Sequence, residues 1–162
     1  MLAYPQFDLG VPFLLETDAS LKGLGAVLAQ EQDDGRVHPI AFASRSLSAS
    51  ETNYSITELE TLALVWAVKL FRPYLLGHRC EVITDHAACT SLLNSKHPSA
   101  KLARWAMAIQ ELDLKITHRS GRSNLVADAL SRNPIAVATV LQIEAVLMTV
   151  VGQMCQVEGC FC

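Results

Sequence analysis

Charge is scarce in this sequence: under a fifth of its 162 residues are charged, and the net balance is −3. The bulk positive charge that announces many nucleic-acid binders is missing. A mild negative total excludes little, because acids clustered at a metal site lower it. Cysteine is sparse and odd in number, five in all, which argues against a disulfide framework. Three of the five, Cys155, Cys160 and Cys162, crowd the C-terminus at irregular spacing with no histidine nearby, which argues against zinc. The opening Met1-Leu2-Ala3-Tyr4-Pro5 lacks the basic-then-apolar layout of a targeting peptide. The longest apolar stretch, 135–151, is broken by Gln142 and Glu144, so no membrane span is expected. Gly23-x-Gly25 has neither the third glycine nor the following helix of a phosphate-binding loop. A serine or cysteine hydrolase finds no nucleophile elbow.

What is present is a patterned globular chain. Half of the residues are hydrophobic, enough for one domain with an ordinary core. Apolar runs at 12–18, 23–30 and 38–47, separated by Ala19-Ser20 and Asp33-Asp34-Gly35, predict three strands in an antiparallel meander. The period then changes. Ser55 or Thr57 can cap a helix reaching about Phe71, ahead of Pro73, with Ile56, Leu59, Ala63, Trp66, Ala67 and Leu70 on one stripe. A fourth strand at 80–85, short helices at 86–93 and 99–112, a fifth strand at 115–118 and a last helix at 124–131 follow. This order predicts an α/β (α+β mixed) fold with a mixed sheet and helices packed on it. Residues 1–11 read as a connector, 12–133 as the domain, and 134–162 as a linker or tail.

Three acids stand at strand ends or a helix start: Asp18, Asp85 and Asp128. A fourth must come from the long helix, where Glu58 and Glu60 compete. Glu60 lies roughly 50° from the centre of the apolar stripe and Glu58 roughly 150°, so Glu60 is expected to face the sheet and Glu58 water. Taken singly, each aspartate reads as a cap or a surface charge. Four carboxylates on one rim, however, would need cations to stay ionised, and hard oxygen ligands suit magnesium or manganese. Two such ions about 4 Å apart can activate a water and stabilise a leaving oxygen.

From Pro12 to Asn133, about three quarters of the chain, the sequence resembles the ribonuclease H domain of gypsy-type LTR retrotransposon reverse transcriptases. The resemblance rests on Phe13-Leu14-Leu15-Glu16-Thr17-Asp18-Ala19-Ser20, Gly23 to Gln30, Ala43-Ser44-Arg45-Ser46-Leu47 with Glu51-Thr52-Asn53-Tyr54, Glu58 to Ala67, Ile83-Thr84-Asp85-His86, and above all Asn124-Leu125-Val126-Ala127-Asp128-Ala129-Leu130-Ser131-Arg132. It implies a ribonuclease H-like fold with a five-stranded mixed sheet. It also implies that Asp18, Glu60, Asp85 and Asp128 bind two divalent metal ions, Mg2+ or Mn2+. The implied activity is hydrolysis of the RNA strand of an RNA–DNA hybrid. The implied partner is a polymerase domain of the same polyprotein, with no polymerase active site in this chain, and the setting is a cytoplasmic retrotransposon particle.

Relatives carry a histidine at the place of His118, where many gypsy-type elements have tyrosine. His118 is either a proton shuttle or an exposed loop histidine. His86 reads as a helix-start residue. Lys96, Lys101, Arg104, Arg119 and Arg122 are candidate phosphate contacts, each of which is also ordinary solvated charge. Ser20, Tyr54 and Thr57 are candidates to line the groove, and RNA would be told from DNA by its 2′-hydroxyl. The rival readings are an inactive retroelement remnant that at most binds nucleic acid, and an integrase-like core, which the Ala-Asp-Ala-Leu-Ser-Arg ending disfavours.

Overall fold

A computed structural model of the chain describes residues 2–7, 10–84, 100–118 and 125–134. Five strands form one sheet: β1 (Phe13–Ala19), β2 (Gly23–Glu31), β3 (Val37–Ser46), β4 (Cys80–Thr84) and β5 (Leu114–His118). Their order is β3-β2-β1-β4-β5. The first three pair antiparallel through short turns, and β4 and β5 add in parallel beside β1. The meander and the mixed sheet expected from the sequence are both present.

Every residue of β2 except Glu31 is buried, because the strand is covered on both faces. On one face Phe13, Leu15, Ala26 and Leu28 pack with Leu64, Val65, Ala67 and Val68 of α1 (Ile56–Leu70). On the other, Gly25 meets α4 (Leu125–Arg132) so closely that a Cβ there would stand 2.3 Å from the Ala127 carbonyl and 2.8 Å from the Ser131 nitrogen. Glycine at 25 therefore serves helix-to-strand contact, not phosphate binding. Pro39 is tolerated because β3 is an edge strand and carries a bulge at that point.

Helix α1 starts at a capping box. Ser55 accepts from the Glu58 amide at 3.3 Å, and Glu58 accepts from the Ser55 amide at 3.0 Å, an arrangement that contributes about 1 kcal/mol. Of the two caps open in the sequence, Ser55 is the one used. Pro73 does not simply stop the helix: it sits in the first turn of a new short one, α2 (Arg72–Leu75), where its missing N–H costs nothing. One element of the expected stripe is corrected. Ile56 is 65 % exposed, and Leu64 and Val68 complete the buried face. Helical periodicity set the stripe, whereas packing on the sheet decides burial, and Ile56 in the first turn lies outside it.

Helix α3 (Ala100–Ile109) packs on α1 and is shorter than the expected 99–112 helix. The chain turns at Gln110 and Glu111, and the amide of Leu114 returns to the Leu112 carbonyl at 3.0 Å. Residues 2–7, expected as a connector, are fastened to the sheet. The buried side chain of Gln30 accepts from the Gln6 amide and donates to the carbonyls of Gln6 and Val11, at 2.8, 2.9 and 3.0 Å. Phe7 packs against Phe13 and His78. Burial pushes the Cys80 thiol up to about 12, so it is a core residue and not a reactive one. Among the described residues no helix is long and apolar enough to cross a membrane. The expected helix at 86–93 and the tail from 135 onward lie outside the described residues.

Candidate active site

Asp18 and Glu60 are both buried, at 6 % and 5 % exposure. Asp18 stands near the end of β1, opposite Gly25, and so shares the face that carries α4. Glu60 belongs to α1, which packs on the other face of the same strand. The helices bearing Glu60 and Asp128 therefore approach β1 from its two sides.

Asp18 is tied directly to α4. The hydroxyl of the fully buried Ser131 donates to Asp18 Oδ2 at 2.5 Å. Ser20, just past the end of β1, donates its hydroxyl to the Ser131 carbonyl at 2.6 Å. Asp128 lies one turn earlier on the helix and is half-exposed. Its Oδ1 accepts from Arg132 Nε at 2.7 Å, with a second guanidinium nitrogen also at 2.7 Å. That pairing, and after it the nearby charge of Asp18, raises the Arg132 pKa.

Glu58 is placed as the helical wheel expects. It lies at the surface with Oε1 2.6 Å from Lys101 Nζ, and the lysine, together with the capping contacts of Ser55, holds its carboxyl down at about 2. It is a capping and ion-pairing residue on the far side of α1 from Glu60.

Asp85 follows Thr84, the buried last residue of β4, and lies outside the described residues with His86, Lys96, Arg119 and Arg122. Among the described residues no three His, Cys, Asp or Glu side chains gather into a metal-binding group. The donor set expected from the sequence is all carboxylate, a chemistry that fits a hard divalent cation and not zinc or copper.

The family profile of the RNase H-like domain found in reverse transcriptase matches residues 8–112. The chain belongs to this family. The ribonuclease H-like domain is 48 % identical over 132 residues to the Pol polyprotein of transposon 297 of Drosophila melanogaster, a gypsy-type element. That match covers 82 % of this chain but only 12 % of the polyprotein. In fold it is similar to RNase H1 from the archaeon Halobacterium salinarum, at TM-score 0.54 and 16 % identity, covering 77 % of this chain and 98 % of that one. It is also similar to a foamy viral protease-reverse transcriptase solved in complex with an RNA/DNA hybrid, at TM-score 0.54 and 18 % identity, covering 68 % of this chain and 15 % of that one.

Within the ribonuclease H-like domain, several expected substrate contacts have work inside the fold. Ser20 spends its hydroxyl proton on Ser131 and accepts from the amides of Lys22 and Gly23. Lys101 sits 3.4 Å from the centre of the Tyr54 ring and 5.3 Å from that of Trp105, besides its bond to Glu58. Tyr54 thereby joins the start of α1 to α3. Thr57 is half-buried, with its carbonyl accepting from the Thr61 hydroxyl at 2.8 Å. Arg104 is exposed, and its Nε bonds only the Ala100 carbonyl of its own helix among the contacts described. His118 is exposed and ends β5 in register with Thr84, as the strand expected at 115–118 implies. Sequence reasoning missed Ser131 and Arg132 as site residues. Their spacing from Asp128, three and four positions on, is the helical spacing that puts residues on one face and is the signal that finds them.

Proposed function

We propose that this domain is a divalent-metal-dependent endonuclease that hydrolyses the RNA strand of RNA–DNA hybrids, acting as the ribonuclease H part of a longer Pol polyprotein that also carries the polymerase. The observation that carries the reading is the joining of Asp18 to α4, the helix that bears Asp128, through Ser131. In this reading the buried Glu60 of α1 and Asp85, the residue after β4 in sequence, complete the set of four. Residues 12–133 are the catalytic unit in this reading, and 134–162 are a tail.

In this reading Asp18, Glu60, Asp85 and Asp128 hold the metals, and bound Mg2+ or Mn2+ supplies an activated water and charge stabilisation at the phosphate. The chain's own residues do the rest. Buried Asp18 and Glu60 are held by packed elements, so they are oriented before substrate arrives. Half-exposed Asp128 stands on the solvent side with Arg132. In the same reading exposed His118 passes a proton to or from solvent, and exposed Arg104 meets a phosphate. The hybrid-bound foamy viral relative in fold supports the choice of substrate.

The test is cleavage of an RNA–DNA hybrid labelled separately on each strand, with Mg2+ or Mn2+, by the native chain and by Asp85→Asn. The reading expects metal-dependent cutting of the RNA strand by the native chain and none by the variant. Folded native protein that binds hybrid without cutting it would instead favour an inactive remnant.

A further inference from the structure

Ser131 makes a contact that helix docking alone does not require. Its hydroxyl lies 2.5 Å from Asp18 Oδ2 and 3.0 Å from the Asp128 carbonyl. A hydroxyl has one proton, and the anionic carboxylate is the stronger acceptor. The backbone behind that hydroxyl is held as firmly. Its carbonyl accepts from Ser20 at 2.6 Å, and its nitrogen rests where only a glycine at 25 leaves room. The next residue, Arg132, grips Asp128. Consecutive residues of one helical turn thus orient two acids, one of them contributed by a strand 113 positions away in sequence from Ser131.

We infer that Ser131 is a positioning residue: its buried hydroxyl fixes the carboxylate of Asp18 relative to Asp128, and so sets the affinity of the site for its divalent cation. The inference rests on the nuclease reading above. Partners that orient ligating carboxylates typically govern metal affinity by about 10–100-fold.

Calorimetric titration with Mn2+ of the native chain, Ser131→Ala, Ser131→Cys and Gln30→Ala tests it without relying on cleavage. Gln30 is at the opposite end of β2 and controls for lost stability. Ser131→Ala is expected to bind Mn2+ about tenfold or more weakly. Ser131→Cys, close in size but a poorer donor, is expected in between, and decides the matter if the alanine variant does not fold. Gln30→Ala is expected to bind as the native chain does. Native-like affinity in the folded Ser131 variants, or an equal loss in Gln30→Ala, overturns the inference. If the native chain binds Mn2+ but cuts nothing, the nuclease reading fails while the Ser131 comparison still decides its own question. If the native chain binds no Mn2+, the inference falls with the reading.

Discussion

At the scale of single residues, Glu58 and Glu60 show what a sequence can separate. Two positions apart on α1, one pairs with Lys101 at the surface and the other is 5 % exposed. The helical wheel distinguishes them because their difference is an angle, and an angle follows from periodicity. The contact of Ser131 with Asp18 was not legible in that way: helical spacing puts Ser131 on the face of Asp128, but Asp18 is a tertiary partner across 113 positions. Nor were the roles of Ser20 and Tyr54, whose polar or aromatic character suits substrate contact and internal stapling equally. Ser20 now reads as a staple. Ser20→Ala removes the hydrogen bond across the β1–α4 junction and the two accepted from the Lys22 and Gly23 amides, so a loss of about 1–3 kcal/mol is expected, measured as a shift in the urea unfolding midpoint. No shift would mean that these bonds are replaced by water.

At the scale of elements, strands and helices followed from alternation, turn residues and caps, and the misplaced edges are where local context overrides type. Ile56 is apolar yet outward, and α3 stops short of Leu112. The glycine pair of β2 was legible as a strand feature but not as the seat of α4. Gly25→Ala forces a Cβ into the Ala127 carbonyl, so a destabilisation of about 1–3 kcal/mol is expected, at the scale of overpacking in a tight core, readable by chemical denaturation. The approach to α1 depends on a different contact. Arg45 donates to Glu51 through both terminal guanidinium nitrogens, at 2.8 and 2.9 Å, and holds the Glu51 carboxyl down at about 2 from an ordinary 4.5. A carboxyl lowered by folding adds stability above its unfolded value and loses it as pH falls toward the folded one. The native chain should therefore lose this contribution between about pH 4.5 and 2. Glu51→Gln should show a flatter fall over that window in urea midpoints measured against pH, and an identical slope would contradict the assignment.

At the scale of the whole molecule, the five-stranded mixed sheet was readable because its element order admits few arrangements. The fastening of residues 2–7 was not. It depends on Gln30, a polar side chain inside an apolar strand whose three hydrogen bonds face a segment without periodicity of its own. Gln30→Ala leaves those backbone groups without their buried partner, so a loss of about 1–3 kcal/mol is expected, together with faster proteolytic removal of the N-terminal segment. Unchanged stability would mean that the packing of Phe7 and the bonds of Ala3 to Pro39 and of Gln6 to Asp33 hold the segment without Gln30.

If Asp18, Glu60, Asp85 and Asp128 act as one metal-binding set, as proposed, then Glu60 is essential and Glu58 is not. Strand-resolved cleavage of an RNA–DNA hybrid in Mg2+ should be compared for the native chain, Glu60→Gln and Glu58→Gln. The native chain and Glu58→Gln should cut the RNA strand, and Glu60→Gln should fold but not cut. Cleavage by Glu60→Gln at the native rate, or its loss in folded Glu58→Gln instead, would contradict the proposal.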